Sequence, residues 1–390
     1  MSEITAIILA GGTAPRMRPL SLDKPKSMIS FIGKPLLSFL ITSLKLNNLL
    51  EIVINTSFEQ GEAREYFSTG SNFGVNIKYY ESKKWYGTAG TTKDLIDKMK
   101  DEISNPFMVI YGDSLLKANY QKMLEFHRRR NSWVTILYHR PNFESFLYEY
   151  HGEIIKDEKR TNYGIMDIDL DNRVIKIVEK PLIAEIKNKF ADPVANAAVY
   201  ILNKEILDFV PSNCFFDFPK HLFPLLVDKG IPCFAFDIEE GYRVDIGTIF
   251  NYYNTQLAIL EGRIDFDFYF PLSKEGIWVG NGSTISSIEN LKKPVLICEN
   301  SRIDLNTSIE CSIIGDNVYV GKFSSVRRSI VLDNTHIGDR VKISQSIIGE
   351  NSFIEDRISL PSNTVLGNYC HLGGYQLIMK DSDFYGFIRR

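Results

Sequence analysis

The sequence predicts an α/β domain with an open, mostly parallel sheet, followed by a second domain made only of short strands. Two changes of pattern along the chain lead to this prediction. Up to about residue 250, short β-rich apolar runs alternate with longer amphipathic segments. From about residue 275 the helical periodicity ends, and glycine, asparagine and serine become frequent. A chain of 390 residues is long enough to form both domains.

The first part of the chain predicts a βαβ-type order of elements. We predict strands at 4–10, 51–57, 76–82, 106–113, 133–140, 174–181 and 195–202, and helices at 35–48, 88–103 and 248–264. Short continuous apolar runs are typical of strands buried in a parallel sheet. The last helix closes this domain. We therefore predict a first domain at 1–256, a connector at 257–278 and a second domain at 279–390.

Aliphatic residues in the second part recur every 17 residues, in three columns. The columns are Ile297, Ile314, Val331, Ile348 and Val365; Ile303, Val320, Ile337 and Ile354; and Ile309, Val326, Ile343 and Leu360. Within one repeat they follow at spacings of six, six and five, which neither a helix nor a single strand explains. The pattern indicates a three-sided coil with one inward aliphatic residue per side. It resembles the left-handed parallel β-helix of hexapeptide repeats.

Composition and charge exclude several classes of protein. The apolar fraction of 44% and charged fraction of 24% are those of a soluble globular protein. A net charge of −3 does not favour nucleic acid or a membrane surface as a partner. The five cysteines are odd in number and form no C-x-x-C pair, so neither a disulfide framework nor a zinc site is predicted. We expect a cytoplasmic protein.

Glycines follow the first predicted strand, where open parallel sheets bind their ligands. Gly11 and Gly12 let the backbone approach a base or a phosphate closely. Arg16 and Lys26 then supply cations suited to phosphate oxygens. The run matches neither G-x-x-x-x-G-K-[ST] nor G-x-G-x-x-G, and two glycines alone could form a plain turn.

The longer run "LAGGTAPRMRPLSLDKPKSM" followed by "GKPLL" resembles the signature of the sugar-nucleotide pyrophosphorylases. This family reads L-A-G-G-x-G-T-R-L-x-P-L-T, then P-K. Further matches follow in family order as "YGTAG", "YGD", "NYGIMDID", "VEKP", "NAAVYIL" and "VDIGT". The family is known for a Rossmann-like nucleotidyltransferase fold and often carries a β-helix. The resemblance implies transfer of a nucleoside monophosphate from a triphosphate to a sugar 1-phosphate.

The resemblance also implies site residues. Implied catalytic residues are Arg16, Lys26, Asp113, Lys180 and Asp245; nucleotide-binding residues are Leu9, Gly11, Gly12, Gly87, Thr88 and Gly112; sugar-binding residues are Gly164, Glu179, Lys180 and Asn196. Asp113 and Asp245 would hold Mg²⁺, a cation that prefers carboxylate oxygens. Each of these residues also has a simpler interpretation when it is taken alone. Asp113 and Asp245 could be turn or cap residues, and Glu179 and Lys180 could form an exposed ion pair. Asn196 could lie in a β-bulge or a turn.

The implied chemistry needs no general base, because a phosphate oxygen is already a nucleophile at neutral pH. Positioning and charge neutralisation would supply the catalysis. The G-T-A-G form of the base loop resembles the mannose 1-phosphate guanylyltransferases. GTP and a mannose 1-phosphate-like sugar are therefore the first expectation, and UTP or dTTP with glucose 1-phosphate is the second.

Two residues depart from the family signature. Ala14 and Pro15 stand where the family has glycine and threonine or serine. The Cβ of Ala14 would be strained if the loop required a positive φ, and Pro15 has no N–H to donate to a phosphate. A catalytically degenerate, sugar-nucleotide-binding regulatory subunit is the alternative. An acyltransferase β-helix is a third reading, with His336 or His371 as its only candidates. His336 is expected to be exposed.

Self-association through the second domain is also expected. Repeat stacks end in open edges that associate unless they are capped. Phe384, Tyr385 and Phe387 lie near the C-terminus, where they would form a cap or an interface. We therefore expect a homo-oligomer.

Overall fold

The computed structural model describes residues 4–12, 14–57, 61–82, 84–140, 160–266, 272–373, 379–381 and 384–387. The chain forms two compact units. The first comprises Met1–Gly12 and Phe39–Val244, and the second comprises Thr13–Ser38 and Asp245–Arg390. Residues 14–38, which we call the signature segment, therefore pack with the C-terminal part of the chain.

The first unit is built on a mixed sheet. Its strands follow the order Val174–Val178, Ile165–Ile168, Pro193–Leu202, Phe107–Tyr111, Thr5–Leu9, Glu51–Ser57 and Asn76–Ser82. The last four of these pair in parallel, as predicted. Pro193–Leu202 runs antiparallel to Phe107–Tyr111 and to Val134–His139, and the latter pairs in parallel with Cys233–Asp237.

The predicted helices form, with shorter ends. Helices of the chain are Leu36–Leu46, Glu62–Phe67, Gly87–Lys98, Tyr120–Arg129, Ile183–Lys189, Phe223–Asp228 and Ile249–Leu260. The helix predicted over 88–103 ends at Lys98. Tyr120–Arg129, which we did not predict, begins at Asn119, whose side chain accepts a hydrogen bond from the Lys122 N–H. In the part of the chain that is described, no helix is both long and apolar enough to cross a membrane.

The second unit contains a coil of short parallel strands, here called the β-coil. One side contains Ile277–Val279, Leu291–Ile297, Ser308–Ile314, Ile330–Val331, Ile347–Ile348 and Thr364–Leu366. A second side contains Thr284–Ile285, Arg302–Ile303, Tyr319–Val320, His336–Ile337, Phe353–Ile354 and His371–Leu372. Ser325–Arg327 and Lys342–Ser344 lie on the third side and pair in parallel. The predicted columns of aliphatic residues are buried in its core.

One register prediction is wrong. Ile348 pairs with Leu366 rather than with Val365, so the last repeat is 18 residues long. Lys342 still pairs with Ser359 at a spacing of 17, which places the extra residue in the turn after Leu360. That turn contains Asn363 at φ 63°. A longer turn keeps the inward aliphatic residues stacked, whereas a strict repeat would turn Leu366 away from the core.

Polar side chains link successive turns of the β-coil along one corner. The carboxylate of Asp316 accepts a hydrogen bond from the Glu299 N–H at 2.7 Å, and that of Asp333 accepts one from the Asp316 N–H at 2.8 Å. Asn368 does the same for the Glu350 N–H at 2.9 Å. We call these five residues the acidic column. The corner asparagines beside it have positive φ, as predicted.

An amide in place of the Asp333 carboxylate is expected to stabilise the protein above neutral pH. Burial, together with the nearby Glu350 carboxylate, raises the pKa of Asp333 from 3.8 to about 7. The folded state therefore holds this proton more tightly than the unfolded chain. Its stabilisation is complete below pH 3.8 and is lost as the pH rises through 7.

Asp333→Asn keeps the accepting oxygen, as Asn368 does naturally. The variant is expected to gain at least about 1 kcal/mol over the native protein at pH 8, with a smaller gain at pH 5. Urea unfolding at both pH values measures this difference. Asp356→Asn is the matched control, because its carboxylate accepts from the Asp339 N–H at an exposed corner. Equal effects of both variants at pH 8 would contradict the prediction.

Candidate functional site

The glycines after the first strand lie where the sequence predicts them. Leu9 is the buried last residue of the strand, and its carbonyl accepts the Gly112 N–H at 3.0 Å. A Cβ at Gly112 would lie 3.1 Å from the Ile8 side chain, so the crossing of these strands requires a glycine. Gly12 is exposed and a Cβ there would meet nothing within 4 Å. The backbone at Gly11 and Gly12 is therefore open to a ligand.

The backbone is not strained at Ala14 and Pro15. Ala14 has φ −95° and ψ 74°, which an alanine adopts without the penalty of a left-handed conformation. Pro15 is the first residue of a short 3₁₀ helix, where its missing N–H would have no intrahelical partner. The Ala14 carbonyl accepts from the Met17 N–H at 2.9 Å and from the Ser21 hydroxyl at 2.6 Å. The local fold thus suits both residues. The N–H group that Pro15 lacks is the remaining difference that affects phosphate binding.

Three predicted charged residues come together within the second unit. Lys26 is only 7% exposed, and its Nζ lies 3.9 Å from Oδ1 of Asp245. A Cβ at Gly247 would lie 2.9 Å from Oδ1 of Asp245 and 3.1 Å from Nη2 of Arg16. Arg16 and Asp245 therefore flank Gly247, and Lys26 lies beside Asp245. Charged groups of these types suit phosphate oxygens and a metal ion.

Asp245 is not a helix cap. The cap of Ile249–Leu260 is Thr248, whose hydroxyl accepts the Asn251 N–H at 3.1 Å. The side chain of Asn251 donates to the carbonyl of Asp245 at 3.0 Å, which fixes the backbone and leaves the carboxylate to the site. The cap reading of this aspartate is therefore wrong.

The β-coil and the last helix hold the signature segment. The Lys24 ammonium contacts the Glu350 carboxylate of the acidic column. The Asn368 side chain donates to the Leu20 carbonyl at 3.2 Å and to Asp23 at 2.8 Å.

A second set of bonds comes from helix Ile249–Leu260. Oε1 of Gln256 accepts the Ile32 N–H at 2.9 Å, and the Tyr252 hydroxyl donates to the Ser30 carbonyl. These bonds fix the backbone of the signature segment on the C-terminal side of Lys26.

The predicted base loop, residues 86–90, makes contacts within the first unit that the sequence did not predict. Thr88 donates from its N–H and its hydroxyl to Asp217, at 2.9 and 3.1 Å. A Cβ at Gly87, where φ is +73°, would lie 2.7 Å from the Phe216 carbonyl. That carbonyl also accepts the Ala89 and Gly90 N–H groups. The Thr88 side chain is thus engaged by residues 216–218, and its role toward a nucleotide stays a prediction.

The predicted sugar-binding residues meet in the first unit. The Asn196 N–H donates to the Gly164 carbonyl at 2.9 Å. A Cβ at Gly164 would lie 2.8 Å from Oε2 of Glu179 and 3.7 Å from Nδ2 of Asn196. The Asn196 amide donates to the Tyr200 hydroxyl at 3.0 Å and accepts the Ala198 N–H at 2.8 Å. This network orients Asn196, whose backbone lies in the strand at a shift of register, as the bulge reading proposed.

Glu179 and Lys180 differ in their surroundings. Burial raises the pKa of Glu179, while the neighbouring Lys180 ammonium lowers it. Lys180 Nζ lies 3.6 Å from Oε1 of Glu179, and its side chain is 54% exposed. Lys180 has φ 47°, and its carbonyl accepts a bond from Nη1 of Arg160 at 3.0 Å. Glu179 and Lys180 therefore form the ion pair of the simpler interpretation, and the exposed Lys180 ammonium remains accessible to an anion.

Asp113 follows the strand Phe107–Tyr111 and is half-buried, with the Ser114 hydroxyl 3.4 Å from its Oδ1. No group of three or more metal-binding side chains occurs among the described residues. Mg²⁺ sites of phosphate-transfer enzymes commonly use one or two carboxylates together with substrate phosphates and water. Asp113 and Asp245 each carry such a carboxylate, and their role toward Mg²⁺ stays a prediction.

Sequence reasoning missed two polar residues in the first unit. The Nε and Nη1 atoms of Arg243 and Nε2 of His139 are buried and have no hydrogen-bond partner in the described part of the chain. Burial lowers the pKa of His139 to about 4, and the charge of Arg243 adds to this effect. The signal for Arg243 was its place two residues before Asp245 in "RVDIGT".

The two histidines of the β-coil are held by neighbours. His336 is half-buried between the rings of Tyr319 and Phe353, with ring centroids at 4.6 and 4.5 Å, so its predicted exposure is wrong. His371 is exposed and lies 3.1 Å from the Glu355 carboxylate. The side chains of Phe384, Tyr385 and Phe387 lie outside the described residues, and their proposed capping role stays a prediction.

Two family models match the sequence. The model described as "Nucleotidyl transferase" matches residues 5–262, and the one described as "EIF2B subunit epsilon LbH domain" matches residues 274–377. The first covers well over half of the chain, and the second covers the β-coil.

Several curated proteins are similar to the chain. A UTP–glucose-1-phosphate uridylyltransferase from Synechocystis sp. is 29% identical over 268 residues, which are 66% of this chain and 64% of the relative. A mannose-1-phosphate guanylyltransferase from Mycobacterium tuberculosis is 25% identical over 247 residues, 63% and 62% of the two chains. A glucose-1-phosphate adenylyltransferase from Desulfitobacterium hafniense is 26% identical over 346 residues, 83% and 80%. The chain spans less than two thirds of the length of the first two relatives.

Proposed function

Because the chain belongs to the nucleotidyl transferase family, we propose that it transfers a nucleoside monophosphate from a nucleoside triphosphate to a sugar 1-phosphate. The observation that carries this proposal is the placement of Arg16 and Lys26 beside Asp245, at Gly247 and at 3.9 Å respectively. The named relatives are uridylyl-, guanylyl- and adenylyltransferases, which supports the reaction class.

In the proposed reaction, a phosphate oxygen of the sugar 1-phosphate attacks the α-phosphorus of the triphosphate. The new P–O bond forms as the bond from the α-phosphorus to the β-phosphate oxygen breaks, and pyrophosphate leaves. Arg16 and Lys26 would neutralise the triphosphate oxygens, on which charge develops as the bond breaks. No proton needs to be removed from the nucleophile.

The sugar would bind at Gly164, Glu179 and Asn196. Glu179 would accept hydrogen bonds from sugar hydroxyls, and the absence of a Cβ at Gly164 leaves room beside that carboxylate. The exposed Lys180 ammonium would neutralise the sugar phosphate. Asp113 and Asp245 would hold Mg²⁺, which neutralises phosphate charge when it is bound.

Among nucleotides and sugars, we propose GTP and an α-D-mannose 1-phosphate-like sugar, with UTP or dTTP and glucose 1-phosphate as the next choice. The base-loop sequence "GTAG" and the similarity to guanylyltransferases support this order. We also propose a cytoplasmic homo-oligomer that associates through the β-coil.

Pyrophosphate release in the presence of Mg²⁺ tests this function, with five nucleoside triphosphates set against a panel of sugar 1-phosphates. One active combination is expected, and Asp113→Asn should abolish it. Asp101→Asn, at an exposed position, should retain the activity. If no combination is active while the protein binds a sugar nucleotide in calorimetry, the regulatory-subunit alternative, based on the missing Pro15 donor, replaces this proposal.

A further inference from the structure

Arg243 is a half-buried cation whose hydrogen-bonding capacity is largely unused. Its Nη2 donates to the Ser114 hydroxyl at 3.2 Å, and its guanidinium lies over the ring of Tyr163, 4.8 Å from the ring centroid. The other two guanidinium nitrogens, Nε and Nη1, are buried and have no hydrogen-bond partner in the described part of the chain. A guanidinium has five donors, so most of this side chain's donors are without an acceptor.

Guanidinium nitrogens that are shielded from water and lack an acceptor are unfavourable unless an anion reaches them, and a neighbouring ring offsets only part of this cost. No ion pair joins Arg243 to a carboxylate among the ion pairs of the described residues.

The position of Arg243 indicates which anion would bind. Tyr163, under the guanidinium, precedes Gly164 of the proposed sugar site. Ser114, its hydrogen-bond partner, follows Asp113. The second unsatisfied residue, His139, has its ring 5.5 Å from that of Tyr163, and its low pKa keeps the imidazole neutral at physiological pH. Arg243 is thus a cation that remains charged, next to a neutral polar group, in the neighbourhood of the sugar-binding residues.

We propose that Arg243 binds the phosphate group of the sugar 1-phosphate with its guanidinium. This inference rests on the proposed function and adds a residue to the sugar site. A guanidinium forms charge-assisted hydrogen bonds to phosphate oxygens, and Nε and Nη1 of Arg243 are donors that have no acceptor among the described residues. Lys180, as an exposed point charge, would then supply only part of the charge neutralisation.

Arg243→Gln tests the proposal, with Arg243→Lys as the conservative variant. The glutamine variant is expected to raise the KM for the sugar 1-phosphate at least about tenfold, as for a lost charge-assisted bond. The KM for the triphosphate should change less than about twofold. The lysine variant should recover part of the affinity, because it keeps the charge but not the fork. Arg130→Gln, which removes an arginine from the rings of Phe126 and Phe234, is the matched control.

A binding measurement separates this proposal from the proposed function. Thermal shifts are recorded with α-D-mannose 1-phosphate, glucose 1-phosphate, free mannose and inorganic pyrophosphate. A sugar 1-phosphate is expected to stabilise the native protein and not Arg243→Gln, even if no transferase activity is found. Pyrophosphate stabilisation that disappears in the variant would instead assign Arg243 to the triphosphate. Equal stabilisation of both proteins by every sugar 1-phosphate would overturn the proposal while leaving the transferase assignment intact.

Discussion

Gly247→Ala is expected to lower kcat about 100-fold while changing the melting temperature little. The added Cβ would lie 2.9 Å from Oδ1 of Asp245 and 3.1 Å from Nη2 of Arg16. Both atoms are the ends of flexible side chains, which move aside at small cost in stability. Their displacement moves charge away from the reacting phosphates, and an error of about 1 Å in such a site costs on the order of 10² in rate.

The control for this variant is Gly61→Ala. A Cβ at Gly61 would meet nothing within 4 Å, and its φ of −68° suits an alanine. It should therefore retain full activity. Steady-state kinetics on the active substrate pair, with thermal unfolding of each protein, measures both effects. Full activity of Gly247→Ala would show that Arg16 and Asp245 do not act in the positions described here.

Glu350→Gln, in the β-coil, is expected to lower kcat/KM for the triphosphate at least about tenfold. Glu350 contacts Lys24, two residues before Lys26, and both side chains of this pair are largely buried. The substitution removes the carboxylate from this contact, and breaking a largely buried ion pair on one side is strongly destabilising. The signature segment should then lose its fixed position, and Lys26 with it.

A double-mutant cycle distinguishes positioning from a general loss of stability. Lys24→Met combined with Glu350→Met removes both charges, so the double variant should be more active than the sum of the single effects predicts. Glu355→Gln removes an exposed carboxylate from the same coil and should leave kcat/KM unchanged. If Glu350→Gln lowers the melting temperature without changing kcat/KM, the contact with Lys24 does not position the site.

Local periodicity was sufficient for much of the fold. The aliphatic columns predicted the β-coil, because a stacked coil must place one apolar side chain inward at each side of every turn. The parallel strands of the first unit were also predictable, because buried parallel strands have short continuous apolar runs. The 18-residue repeat at Leu366 was not, because a single inserted residue in a turn leaves the apolar pattern almost unchanged.

The sequence indicated which residues belong to the candidate site, but it indicated only some of the contacts between them. The resemblance of the motifs to the family signature implied Arg16, Lys26, Asp245, Glu179 and Asn196 as site residues. The sequence could not show that Thr88 is engaged by Asp217, because these residues are more than a hundred positions apart. Contacts of that range depend on packing and leave no local pattern.

The sequence by itself determined the two folds, the family and the charged residues of the proposed reaction. The tertiary structure alone decided that Ala14 and Pro15 fit their loop, because only the backbone angles show that no left-handed residue is required there. It also decided that Glu350 contacts the signature segment through Lys24 and that two guanidinium nitrogens of Arg243 have no acceptor among the described residues. Each of these depends on which distant groups approach a side chain and on how much water the fold excludes.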